Sequence, residues 1–222
     1  MVLLAPSAAA LQKLLDVCAC YANEYDIVYQ TKKSVCMTIW PKRMKYPFSP
    51  KFYLHGDELE CVKEFRYLGQ VITDELSDDV DMKEKVRSLY AVGNMLIRRF
   101  GRCDETVRLS LFKTYCYNVY GCALWCNYCV ASWRKLKVAH NDILRKLLKV
   151  PRYHSASTLF VTKHVDNLDV LLRKNMYSLW ERFSNSNNSI VARVYSSEVR
   201  AHSKIWSHFM LKLYKSDFMY VV

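Results

Sequence analysis

Glycine and proline are scarce, with five of each in 222 residues. Five glycines spread over the whole chain cannot build the glycine-rich loop that cradles a nucleotide phosphate. With 51% hydrophobic residues, so little glycine and proline also excludes a disordered chain. No internal repeat and no long low-complexity tract is present. No signal peptide precedes the nine cysteines, whose odd number and helical core positions are those of reduced thiols. An intracellular protein, nuclear or cytoplasmic, is therefore expected. Residues 114–133 carry no charge, a stretch about as long as a bilayer is thick. Yet Asn118 and Asn127 interrupt it, and Tyr and Cys outnumber Leu, Ile and Phe. A buried helix and turn is expected there, and no membrane partner.

Charge is plentiful but uneven. The formal net charge is +12, yet residues 1–82 hold 9 Lys/Arg against 12 Asp/Glu. Residues 83–152 hold 15 against 4, and residues 153–222 hold 9 against 5. A local excess of this size favours a polyanion partner through counterion release.

Met1-Val2-Leu3-Leu4-Ala5 reads as a short buried strand, and Ser7 as the cap of the helix that follows. Leu11, Leu14, Leu15, Cys18, Ala22 and Tyr25 form one apolar helical stripe. Residues 27–29 and 35–40 read as strands around the polar turn Gln30-Thr31-Lys32-Lys33-Ser34. Residues 41–50 read as a basic, proline-punctuated loop. Residues 52–54, a turn at His55-Gly56-Asp57 and residues 59–62 read as a hairpin. Alternation across residues 64–73 predicts a half-buried strand, with Gly69 at a close backbone approach or bulge.

From Asp81 onward helices follow one another. Val86, Leu89, Tyr90, Ile97 and Phe100 make one stripe beside Lys83, Arg87 and Arg98, with Arg99 and Arg102 near the helix end. A helix over about 105–120 is apolar on most sides and expected at the centre of the bundle. Another over about 131–150 buries Trp133, Leu136, Ile143, Leu144 and Leu147. It carries Arg134, Lys135, Lys137, Asn141, Arg145, Lys146 and Lys149 on its other surfaces, and Pro151 stops it. Leu168, Leu171, Leu172, Met176, Leu179 and Phe183 define a further amphipathic helix. A loop at 184–189 and a helix over 190–213 complete the chain, with no readable signal after residue 217.

Phe65-Arg66-Tyr67-Leu68-Gly69 resembles the primer-grip motif of reverse transcriptases of the non-LTR (LINE-like) retrotransposon family, where it forms a small hairpin between palm and thumb. Gln30-Thr31-Lys32-Lys33-Ser34 resembles the family's Asn-x-x-Lys-Ser/Thr motif, with Gln30 in place of Asn. Tyr120-Gly121-Cys122-Ala123-Leu124-Trp125 resembles its Tyr-Gly-x-x-x-Trp segment, and His140-Asn141-Asp142-Ile143-Leu144-Arg145 its His-Asn-x-x-Leu-Arg helix. The resemblance covers most of residues 1–150 and fades beyond. It implies an α+β fold: a partial palm sheet with one helix over 1–76, a basic thumb-like helical region over 77–152, and a helical extension over 153–222. It further implies an RNA template and DNA primer as partners, with no small-molecule cofactor. Lys33 would act on the pyrophosphate or triphosphate side, and Phe65, Arg66, Tyr67, Leu68 and Gly69 would hold the primer. Arg87, Arg98, Arg99, Arg102, Arg134, Lys135, Arg145, Lys146 and Lys149 would grip the template–primer.

One departure is large. Nucleotidyl transfer needs clustered carboxylates to hold two divalent metals, and the family places its Asp-Asp pair just before the strand that Met1-Val2-Leu3-Leu4-Ala5 resembles. The chain is therefore expected to be a piece of an RNA-directed DNA polymerase, inactive alone, with Mg²⁺ expected only for a full-length enzyme. Asp78-Asp79 lies elsewhere and suits a helix N-terminus. The alternative is a non-catalytic RNA- or DNA-binding helical module, or a relic without function. Cys122-x3-Cys126-x2-Cys129, with Cys116 or His140 as fourth ligand, is the most zinc-like cluster, but the His-x-x-x-His half is missing. Core cysteines beside aromatic residues are expected instead, and no metal site.

Overall fold

The computed structural model describes residues 1–40, 50–197, 206–208 and 211. The basic loop expected at 41–50 lies, except for Pro50, outside the described residues, as does most of the helix expected beyond residue 197. The fold is α+β. The chain separates into two compact units, Met1–Ser77 and Asp78–Val222.

In the first unit, helix α1 (Ala8–Glu24) begins where the Ser7 hydroxyl accepts the amide of Ala10. Leu15 and Ala22 are buried, but Leu14 and Tyr25 are exposed, so the buried stripe is narrower than the sequence periodicity. Residues 1–5 form no strand. Met1 and Leu4 are 84% and 85% exposed, and only Leu3 packs on the core. Residues 27–29 are also irregular, because no strand pairs with them among the described residues. The strands are β1 (Val35–Cys36), β2 (Tyr53–Leu54), β3 (Asp57–Glu58), β4 (Glu60–Cys61), β5 (Glu64–Tyr67) and β6 (Gln70–Thr73). They make three separate two-stranded pairs rather than one sheet: β1 with β4 parallel, β2 with β3 and β5 with β6 antiparallel. The core is Leu15, Cys36, Phe52, Leu54 and Leu59. Gln12 sews α1 to β2 by donating to the carbonyl of Tyr53 (2.9 Å) and accepting its amide (3.0 Å).

The expected strand over 64–73 is a hairpin. Leu68 and Gly69 both take positive φ, 47° and 82°, the two-residue turn that matches the twist of the flanking strands. The burial is divided between the two strands, not by face along one: all four residues of β5 are exposed, whereas those of β6 are partly buried and Thr73 fully so. The hairpin is anchored at its far end, where Thr73 is buried and its hydroxyl accepts the amide of Ser77 (2.8 Å).

The second unit contains α2 (Asp79–Phe100), α3 (Glu105–Cys116), α4 (Val130–Leu148), α5 (Ala156–Thr162), α6 (Leu168–Ser184) and α7 (Ser189–Ser196). The uncharged stretch ends α3, makes a short 3-10 turn (Cys122–Leu124) and enters α4. No described helix is long and apolar enough to cross a membrane. The tightest pairing is α2 with α4, not one centred on α3. Only Arg108, Phe112 and Cys116 of α3 are buried, while Val107 and Tyr115 face solvent. One core gathers Leu96, Phe112, Ile143, Leu144 and Leu147 with Leu159 and Phe160 of α5. A second gathers Met82, Trp125 and Leu136 with Leu168, Leu172 and Met176 of α6.

Gly93 lets α2 approach α4. A Cβ added there would lie 2.7–2.8 Å from three side-chain atoms of Ile143, itself fully buried. Gly93→Ala is expected to destabilise the unit by about 1–3 kcal/mol through overpacking, despite a helix propensity about 1 kcal/mol better. The urea midpoint should fall. A raised midpoint would mean that Ile143 yields freely.

Candidate nucleic-acid interface

Lys33 ends a 3-10 turn (Thr31–Lys33) and is exposed. The turn is held by the Ser34 hydroxyl donating to the Gln30 carbonyl (3.1 Å) and the Thr31 hydroxyl donating to Asp57 of β3 (2.9 Å). On β5, Phe65 and Tyr67 are both 41% exposed. Two residues apart, they share one strand face, with Arg66 on the other. Leu68 stands out at the tip, 71% exposed. Lys33 and this hairpin belong to the first unit, and all nine expected backbone-gripping cations belong to the second.

In the second unit the cations are sorted by helix direction. Asp79 at the start of α2 accepts the amide of Cys129 at the start of α4 (2.9 Å), and Gly93 fits against Ile143. Both pairs are 50 residues apart, so α2 and α4 run side by side in the same direction. Their C-terminal ends therefore lie together. Arg98 and Arg99 lie in the last turn of α2 with Arg102 two residues beyond it, while Arg145 and Lys146 lie in the last turn of α4 and Lys149 caps it. Arg152 follows directly. Arg87, Arg134 and Lys135, all exposed, lie nearer the opposite end and outside this group.

The acids near the basic end are engaged elsewhere. Asp142 pairs with Arg145 (3.2 Å), Glu105 pairs with Lys163, and Asp104 caps α3 by accepting the amide of Val107. Arg145 also donates to the carbonyl of His154 (2.9 Å) and is half-buried, so it braces the fold more than it reaches outward. Arg98, Arg99, Arg102, Lys146 and Lys149 remain exposed, and none forms an ion pair among the described residues.

Two structural groups were missed in the sequence. Asp78, Asp79 and Asp81 do sit at the α2 N-terminus, but their carboxylates clamp the segment before α4. Asp78 accepts the amides of Cys126 (2.8 Å) and Asn127 (2.7 Å), and Asp81 accepts the Trp125 indole N–H (2.8 Å). Burial raises the Asp78 pKa, and those two amide bonds oppose it. The readable signal was Asp-Asp-x-Asp ahead of a helix together with a tryptophan in an uncharged stretch. Arg108, buried on α3, donates its guanidinium to the carbonyls of Leu147 and Asp104 and so ties α3 to the last turn of α4.

The zinc-like cysteines take separate places. Cys116 and Cys122 are buried in different cores, and burial pushes each thiol up to about 12. Cys129 caps α4, its sulfur accepting the amide of Ser132 (3.4 Å). His140 lies fully buried between Phe112 and Phe160. Among the described residues no three His, Cys, Asp or Glu side chains converge as a metal ion would require.

Compared with family models, curated proteins and solved structures, the chain finds no match in any of the three.

Proposed function

We propose that the chain grips a nucleic-acid duplex through the joined C-terminal ends of α2 and α4, as the palm–thumb part of a non-LTR retrotransposon reverse transcriptase. The observation that carries this reading is the cluster of Arg98, Arg99, Arg102, Lys146 and Lys149, exposed and without ion pairs among the described residues. Cations held this close without compensating carboxylates exchange counterions for phosphates when a polyanion arrives. The specific reading of RNA-directed DNA synthesis rests on the order of motifs: the Lys33 turn, the Phe65 hairpin, then basic helices. The exposed aromatic pair Phe65 and Tyr67 offers flat surfaces on which nucleotide bases stack.

The test is a salt titration of binding to a labelled RNA–DNA primer–template. The logarithm of affinity should fall linearly with that of salt concentration. Neutralising Arg98, Lys146 and Lys149 together should weaken binding and flatten the slope by roughly 1 for each phosphate that no longer meets a cation. The same treatment of Arg87, Arg134 and Lys135 should do less. Binding indifferent to salt would rule out a phosphate grip. Equal affinity for heparin and primer–template would reduce the reading to a general polyanion binder.

A further inference from the structure

Cys36 on β1 and Cys61 on β4 are direct partners in the parallel pair. Opposed residues on neighbouring strands stand on the same face with backbones about 4.8 Å apart, inside the roughly 4.4–6.8 Å that a disulfide spans. The two thiols are near enough for Cys61 to raise the Cys36 pKa, and no disulfide joins any of the nine cysteines. Their surroundings differ. Cys36 is 7% exposed, with its sulfur 3.4 Å from the Glu60 carbonyl and 3.9 Å from that of Leu59. Cys61 is exposed and lines a shallow depression with Pro50, Lys51, Glu58, Leu59 and Glu60. The other thiols of this unit, Cys18 and Cys20, lie two apart on α1 and so face different ways.

We propose that Cys36 and Cys61 form a reversible redox clamp, closed by a low-molecular-weight disulfide. The Cys61 thiolate, open to solvent, attacks one sulfur of the small disulfide, breaking its S–S bond and releasing one small thiol. The Cys36 thiolate then attacks Cys61 Sγ in the mixed disulfide, forming the Cys36–Cys61 bond and releasing the second small thiol. Two protein thiols lose two electrons and two protons, and the small disulfide takes up both to become two thiols. Burial and the neighbouring Cys61 push the Cys36 thiol up to about 11, so the second step quickens as pH rises. The closed clamp joins the strand just after the Lys33 turn to β4. Thr31 already ties that turn to β3, so oxidation would lock Lys33 and the β2–β3 hairpin in one frame.

The test is oxidation of the native full chain by oxidised glutathione at mildly alkaline pH, then thiol blocking, non-reducing digestion and mass spectrometry. The expected result is a linked pair of peptides containing Cys36 and Cys61, a loss of two titratable thiols per chain, and their return with dithiothreitol. Cys36→Ser should trap glutathione on Cys61, and Cys61→Ser or Cys61→Ala should leave Cys36 unoxidised. Oxidation in denaturing urea should abolish the preference for this pair. A wild-type chain that holds glutathione stably on Cys61, or that links Cys126 to Cys129 while Cys36 and Cys61 stay reduced, overturns the proposal.

Discussion

Trp125→Ala is expected to destabilise the helical unit by about 3–5 kcal/mol, the range for emptying a fully buried large aromatic site. Trp125 is 1% exposed and packs with Met82, Leu136, Leu168, Leu172 and Met176. Its removal would open a cavity between α2, α4 and α6 and also take away the indole donor of Asp81, a carboxylate only 2% exposed. The two losses are separable. Trp125→Phe keeps most of the packing and deletes the N–H, so it should cost about 1–3 kcal/mol, the range for a buried polar group that loses its partner. Lys85, 3.9 Å away, softens that loss. Far-UV circular dichroism during urea unfolding reads both variants. If Trp125→Ala costs less than Trp125→Phe, the indole is not a keystone of this core.

Acid should weaken the same unit through His140. Burial lowers its pKa from the usual 6.5 to about 4, and neither ring nitrogen has a hydrogen-bond partner. In the unfolded chain the imidazole takes a proton near pH 6.5, while the folded chain resists until about pH 4. Its contribution is therefore complete above pH 6.5 and is lost as pH falls through that window. At about 1.4 kcal/mol per pKa unit the total comes to roughly 3–4 kcal/mol. Asp78 works in the opposite sense, because its raised carboxyl pKa stabilises the folded state on acidification. The comparison must therefore be between wild type and His140→Met at each pH. The variant should match or exceed wild-type stability at pH 7 and lose less between pH 7 and pH 4.5. Parallel pH profiles would show that His140 is hydrated or partnered in solution.

The longer helices were readable because they repeat their apolar residues at helical spacing over three or more turns. Leu168, Leu171, Leu172 and Met176 are buried as that spacing requires, and Ser7 caps as its side-chain chemistry allows. The short strands were not. An apolar run such as residues 1–5 becomes a strand only where another strand offers hydrogen bonds, and local sequence does not reveal a partner. Local pattern hid the Leu68-Gly69 turn, which the primer-grip resemblance alone implied, because leucine is an uncommon residue at positive φ, where Asn or Asp is the usual signal. The individual cations were legible, but not their grouping. Joining Arg98 to Lys146 requires knowing that α2 and α4 run parallel, and that register is carried by Gly93, Ile143 and the Asp79 bond rather than by any local pattern. Arg145 shows the reverse error: its charge was visible in the sequence, its commitment to Asp142 and His154 was not.

The shared direction of α2 and α4 has an electrostatic corollary. In an antiparallel pair the peptide dipoles largely cancel, whereas here they add. Each helix presents roughly half a negative charge at its C-terminal end, and both ends fall where the arginines and lysines gather. Each cation gains about 0.3–1 kcal/mol from that field, which lets so many like charges crowd one end of a small unit without repelling it open. The same field pushes back on phosphates. In the binding proposed above, a polyanion would be kept off the helix ends themselves and met by the tips of long side chains. A grip made at arm's length carries no fixed register, so a nucleic-acid strand bound as proposed above would be free to shift along it.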